Sequence, residues 1–170
     1  MVERTELLRR LTRVKMFCMD VDGVLTNGHL YYSKDGELFK CFNAHDGMGI
    51  QILREQLGII PVIITQEETG IVSARARKLK IEHVFQGVRD KGSILAPLLE
   101  KLQIGYGEVL FVGDDINDLP LLRRVGVAVA VADAIERVKS EVHYITRSRG
   151  GEGAIRELVE MILEARERYG

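Results

Sequence analysis

Several runs in this 170-residue chain are apolar at every position rather than at alternate ones, and no other feature constrains its fold as much. MFCM at 16–19, IIPVII within 59–65 and VLFV at 109–112 would each bury both faces of a strand. A strand buried on both faces belongs to a sheet covered by helices on both sides, which is the arrangement of parallel α/β sheets. The segments between the runs are helical in pattern. Ile50, Leu53 and Leu57 recur at helical spacing, with Asp46 as the expected cap and Gly58 as the stop. Helices are also predicted over 69–80, over 90–102 and from about 152, where Ile155, Leu158, Val159 and Ile162 form a stripe. Strands at 83–86, 125–132 and 142–145 complete an α/β, doubly wound parallel sheet, expected as a single domain over 1–170. Pro61 requires its strand to begin late or to lie where one ladder bond is dispensable. Between the first strand and the first of these helices, at about 29–42, Lys34-Asp35-Gly36 separates two β-rich runs and predicts a hairpin.

Composition narrows the class. With 46% hydrophobic and 29% charged residues the chain can bury a core without disulfides or a structural metal. Lys and Arg (24) nearly balance Asp and Glu (25), so the basic excess of a nucleic-acid binder is missing and no nucleic-acid partner is expected. The apolar runs are too short to span a bilayer, and MVERTELLRRLTRVK carries charges where a signal peptide needs its apolar segment. The expectation is therefore a cytoplasmic protein without a membrane partner. Cys18 and Cys41 lie in strand-like stretches without CxxC spacing and are expected to pack. His29, His45, His83 and His143 lack metal-ligand spacing and are expected on the surface or in loops.

Three predicted strands end in groups that could do chemistry: Asp20 and Asp22, then Thr65, then Asp114 and Asp115 with Asp118 close behind. In a parallel sheet these ends share one edge, where open α/β sheets bind ligands. Carboxylates gathered there repel by about 4 kcal/mol per pair at ~4 Å and an effective dielectric of ~20. Lys91 alone cannot offset that, so either several are protonated or a divalent cation sits among them, and an all-oxygen donor set favours Mg²⁺ over zinc. A calcium loop is excluded, because DDINDLPLLRRV lacks the glycine and the terminal Glu that such a loop needs. A carboxylate beside Mg²⁺ can attack phosphorus, a second can protonate the leaving oxygen and then activate water, and Thr65 and Lys91 can hold phosphoryl oxygens.

DVDGV, the Thr of IIT, the isolated Lys91 and GDDINDLP, in that order, resemble the four motifs of the haloacid dehalogenase superfamily of phosphotransferases. The resemblance implies Asp20 as nucleophile and Asp22 as acid/base. It implies Mg²⁺ held by Asp20, the backbone carbonyl of Asp22 and Asp114, with Asp115 and Asp118 in support. Over nearly its whole length the chain is further similar to the capless phosphatases of 3-deoxy-D-manno-octulosonate 8-phosphate, through DVDGVLTNG, the hairpin, FNAHDGMGI, GDDINDLP, VAVADA and RGGEGAIRE. That implies a phosphorylated sugar acid as substrate, and a homotetramer whose hairpins form a shared barrel. Leu30, Tyr31, Tyr32, Leu38 and Phe39 are more large apolar groups than a free ribbon carries, although a flap folded on its own domain would bury them too.

Matching that family, Asn43, Ala44, His45, Asp46, Gly47 and Asn117 would line the site, and Arg75 would meet the sugar-acid carboxylate, while a helix-cap or surface-charge reading of each carries comparable weight. One position departs from the pattern. Relatives commonly carry Gly-Arg after the strand-end threonine, where this chain has Gln66-Glu67. Glu67 with Lys78 resembles relatives acting on nine-carbon sugar-acid 9-phosphates, so both sugar acids stay open. In RSRGGEG, Arg147 and Arg149 could meet an anion near the last helix, and a plain loop with a helix cap accounts for the stretch equally well. Two other classes compete with the enzyme. A phosphate-accepting signalling domain has similar groups but normally places its acidic pair at the first strand and its acceptor at the third. An idle subunit would not need Asp20, Asp22, Thr65, Lys91 and Asp114 together.

Overall fold

The computed structural model describes residues 2–170. In chain order these form α1 (Arg4–Leu11), β1 (Met16–Met19), β2 (Tyr31–Ser33), β3 (Gly36–Phe39), α2 (Ala44–Glu55), β4 (Ile60–Ile64), α3 (Gly70–Leu79) and β5 (His83–Phe85). Then follow α4 (Lys91–Ile94), α5 (Ala96–Leu102), β6 (Val109–Gly113), α6 (Leu119–Leu122), β7 (Val127–Ala130), α7 (Glu136–Lys139), β8 (Tyr144–Ile145) and α8 (Ala154–Tyr169). Six strands make one parallel sheet in the order β5-β4-β1-β6-β7-β8, while β2 and β3 pair only with each other.

β1 is central, and from it the chain winds outwards in both directions, so a topological switch point flanks it. Its register sets Met16 opposite Ile60 and Val109, and Met19 opposite Ile63 and Val112. The C-terminal ends of β1, β4 and β6 are therefore level. Every residue of β1, β6 and β7 is buried, and because successive side chains point to opposite faces, both faces must be covered. α8 packs between α1 and α2, with α1 on β7 and α2 on β4, whereas α6 packs on β6 and against α4. α8 buries Ile155, Leu158, Val159 and Ile162, the stripe read from the sequence. No described helix is long and apolar enough to cross a membrane.

Pro61 lies inside β4 at no cost to the ladder. Ile60 donates to Lys15 on the β1 side, so the nitrogen of residue 61 faces β5, whose pairing starts one residue later at Val62 opposite His83. Other local expectations need correction. α1, with Leu7, Leu8 and Leu11 buried, is an element beyond those predicted. Asn43, not Asp46, caps α2: its side chain accepts from the N–H groups of His45 and Asp46. The Asp46 carboxylate is buried instead against the start of α8 and accepts from the N–H groups of Gly153 and Arg156. Leu57 falls beyond α2 but still packs on the core. The helix expected over 90–102 divides at Leu95, because Pro97 cannot continue it and instead sits in the first turn of α5. Cys18 is buried as expected, but Cys41 is exposed, because the chain after β3 is already leaving the hairpin.

His143 is not simply a loop residue. It is half-buried, its Nδ1 accepts from the N–H of Ala128, and its Nε2 lies 3.1 Å from an Arg10 nitrogen. Burial first, and then the Arg10 charge, push its imidazole below the ordinary range. The unfolded chain therefore takes up the proton first as pH falls, and stability drops through the ordinary imidazole pKa of about 6.5. Urea unfolding between pH 7.5 and 5.5 of the wild type and of His143→Asn, which keeps an acceptor for Ala128 but cannot ionise, isolates this contribution: on acidification the wild type should lose stability relative to the variant.

Candidate active site

The floor of the site is set by a buried cation between two carboxylates. Asp20 directly follows β1, and its backbone N–H donates to Val112 of the neighbouring β6. Its Oδ1 accepts from the Val21 N–H at 2.7 Å and its Oδ2 lies 2.8 Å from Lys91 Nζ. Lys91 opens α4, after Asp90 caps the helix by accepting from the Gly92 N–H. The lysine is wholly buried, and its ammonium also donates to Asp118 Oδ1 at 2.7 Å. Asp118 Oδ2 accepts in turn from the N–H groups of Asp114 (2.8 Å) and Asp115 (3.3 Å), which fixes the loop after β6.

Two glycines let these groups approach. Gly23 has φ +85°, which only glycine adopts without strain, and a Cβ there would overlap the Asp114 carboxylate. A Cβ at Gly113 would overlap Asp118 in the same way. The turn after Asp20 is closed by N–H groups of Val24, Leu25 and Thr26 donating to the Val21 carbonyl. Thr26 Oγ1 accepts from the N–H groups of Gly23 and Gly28.

Carboxylate oxygens of Asp20, Asp114 and Asp118 lie within 4.8 Å of one another. Burial, and then the charge of Asp118, raise the Asp20 carboxyl to about 6 against the pull of Lys91. Burial and the neighbouring carboxylates of Asp118, Asp20 and Asp115 raise Asp114 to about 8. Burial alone would push the Lys91 ammonium down, but Asp118 and Asp20 outweigh it and hold it above its usual range. The cluster is thus short of positive charge, and its oxygen-only donors fit a hard divalent cation such as Mg²⁺.

Above this floor opens a cleft of about 500 Å³. It brings together Asp20, Asp22, Thr65 and Asp114 from the ends of three strands, with Gln66, Glu67, Asp115 and Asn117 around them. Asn117 Nδ2 donates to Gln66 Oε1 at 3.4 Å and so links two of the loops. Gly28, Leu30 and Ile116, which are not among the expected site residues, also form the wall. Lys91 and Asp118 lie beneath it, fully buried.

The remaining expected substrate residues stand elsewhere in the single chain. Asn43 caps α2 and donates from Nδ2 to the Gly151 carbonyl, and Ala44 and His45 fill the first turn of that helix. Asp46 is committed to α8. Gly47 leaves room for the Arg75 guanidinium, which donates to the Asn43 carbonyl at 3.1 Å and lies 5.3 Å from the Phe42 ring centre. Lys78 is exposed on α3. Arg147 and Arg149 are exposed as well, and Gly150 and Gly151 are explained by close packing of their backbone on residues 23–27.

Two residues that carry no motif prove close to the site. Lys40 Nζ donates to Asp22 Oδ1 at 2.6 Å and lies 2.6 Å from Glu37 Oε1. Burial lowers its ammonium pKa, but Asp22 and Glu37 outweigh this and raise it. No sequence signal marks it, because alternation with the apolar Phe39 and Cys41 would turn Lys40 outward.

Residues 32–158 match the haloacid dehalogenase-like hydrolase family. The 3-deoxy-D-manno-octulosonate 8-phosphate phosphatase KdsC of Yersinia pestis is 38% identical over 96% of this chain and 87% of its own. A probable YrbI family phosphatase from Pseudomonas syringae superimposes with a TM-score of 0.92 at 48% identity, covering 96% of this chain and 93% of its own. The 3-deoxy-D-manno-octulosonate 8-phosphate phosphatase of Moraxella catarrhalis, whose crystal structure holds magnesium, phosphate and KDO, gives 0.92 at 38% identity, covering 98% and 95%. The chain belongs to the haloacid dehalogenase-like hydrolases and, over nearly its full length, resembles their 3-deoxy-D-manno-octulosonate 8-phosphate phosphatases.

Proposed function

We propose that this chain is a capless, single-domain, Mg²⁺-dependent phosphomonoesterase that converts 3-deoxy-D-manno-octulosonate 8-phosphate to the free sugar acid and phosphate. The observation that carries the reading is the convergence of Asp20, Asp22, Thr65 and Asp114 on one cleft above the Lys91–Asp118 pair. Asp20 attacks phosphorus as the P–O bond to the sugar breaks, and the sugar oxygen keeps the electron pair and takes a proton from Asp22. Asp22, now a carboxylate, removes a proton from water, whose oxygen displaces Asp20 from phosphorus and regenerates both residues. Lys91 holds Asp20 in line from below, and Thr65 is placed to hold a phosphoryl oxygen. Mg²⁺ held by Asp20, the Asp22 carbonyl and Asp114 would offset the charge of carboxylates and phosphate.

The eight-carbon sugar acid is supported by the relatives. For the nine-carbon alternative, Glu67 lines the cleft, whereas Lys78 stands away from it in the single chain. Arg75 and the start of α2 would serve the substrate only where a neighbouring subunit completes the site. A homotetramer is supported by the hairpin, where Leu30 (54%), Tyr32 (60%), Leu38 (58%) and Phe39 (51%) are too exposed for a ribbon left in water. We place the enzyme in the cytoplasm, with its phosphorylated substrate.

Phosphate release from eight- and nine-carbon sugar-acid phosphates, with Mg²⁺ and with EDTA, tests the reading. Release should require the metal and favour the eight-carbon ester, and Asp20→Asn and Asp22→Asn should each lose at least about 100-fold in kcat while keeping the fold. Near-normal turnover in either variant would overturn the mechanism. Gly23→Ala should raise the Mg²⁺ concentration needed for half-maximal activity by pushing Asp114 aside, which a metal titration reads directly. Light scattering should give four subunits, and Leu38→Glu with Phe39→Glu should give smaller species.

A further inference from the structure

We propose that Lys40, braced by Glu37, is a positioning residue for Asp22, so that the β2–β3 hairpin sets the geometry of proton transfer to the leaving group. The inference rests on the reading of Asp22 as acid/base given above. Lys40 directly follows β3, and its side chain is only 1% exposed. An ammonium withdrawn from water is costly unless it is paired, and both of its partners, at 2.6 Å each, are carboxylates. It is therefore unlike the surface ion pairs of this chain, such as Arg4 with Glu164, where water screens the attraction.

The effect on Asp22 is directional. Lys40 occupies Oδ1, while Oδ2 is buried and has no hydrogen-bond partner among the described residues, and the residue lines the cleft. An aspartate on a loop could present either oxygen. The lysine holds one, so the unpartnered one is left for the sugar oxygen once the substrate enters. Glu37 neutralises the ammonium, so the pair orients Asp22 by a hydrogen bond without adding a net charge beside it. Sub-ångström placement of an acid is worth as much as its presence: a shift of about 1 Å can cost 100-fold in rate.

The test separates placement from mere support. An alkoxide leaving group needs the proton from Asp22, whereas p-nitrophenolate leaves without it. In kcat/KM, which reports the steps through departure of the leaving group and not the later attack of water, Lys40→Met should lose on the order of 100-fold for the eight-carbon sugar-acid phosphate and about tenfold or less for p-nitrophenyl phosphate. Lys40→Arg should recover most of the loss. Equal losses on both substrates, no recovery with Arg, or unchanged or increased turnover would each overturn the proposal. If Lys40→Met does not fold, as read by its melting transition, Glu37→Gln carries the test: a smaller loss, again greater for the sugar ester, supports the proposal, and an equal loss or none overturns it. Asp22→Asn is measured alongside. Normal turnover there would refute the reading of Asp22 itself, whereas a large loss there with none in Lys40→Met refutes only the positioning role.

Discussion

The buried ammonium of Lys91 is the interaction on which the rest of the site depends. Taking a lysine and two aspartates out of water costs several kcal/mol per ion, and close, hydrogen-bonded geometry is what makes it tolerable. The geometry comes from three places in the chain: Asp20 at the end of β1, Lys91 at the start of α4, and Asp118 in the turn after β6. Parallel pairing brings β1 and β6 to the same level, and the loop after β5 delivers α4 beneath them. One cation thereby fixes Asp20 directly and, through Asp118 and the N–H groups of Asp114 and Asp115, the loop that carries another carboxylate.

The same cation is not enough to neutralise what it gathers. Asp20 and Asp114 are both lifted well above the usual carboxylate range, mainly by burial and then by the charge of Asp118. Such a cluster is poor as a structural device, because an apolar core of equal volume would be at least as stable. It makes sense as a place where a second positive charge and a phosphate enter together. The stability given up there is supplied by the sheet, whose central strands are buried on both faces.

How much of this was legible in the sequence follows from which contacts are local. The parallel sheet and its charged edge could be read because MFCM, PVII and VLFV are apolar at every position and end in Asp or Thr. The capping of α2 was misassigned to Asp46 because both Asn43 and Asp46 are good caps, and only the packing of α8 on α2 shows that Asp46 serves the other helix. The break at Leu95 was legible in Pro97 and should have outweighed the continuous apolar pattern. α1 lay in a stretch rich in charge, and its three buried leucines are visible as a face only once α8 is there to cover them. The role of Lys40 could not be found from spacing, because its partner Asp22 is 18 residues before it and the hairpin has no register with the main sheet, and Glu37 joins only through Lys40.

The hairpin therefore has two faces of different meaning. Its turn-side residues present Tyr32, Leu38 and Phe39 to the outside, where only another surface could bury them. Its base sends Lys40 inward onto the Asp22 carboxylate. Because β2 and β3 pair only with each other, the main sheet does not hold the ribbon in place by backbone bonds. In the proposed tetramer, whatever covers its apolar side would also help to fix the direction of Lys40. A capless phosphatase lacks a lid domain to order its site, and an inserted ribbon clamped at one end by that proposed association and at the other by an ion pair would supply that order.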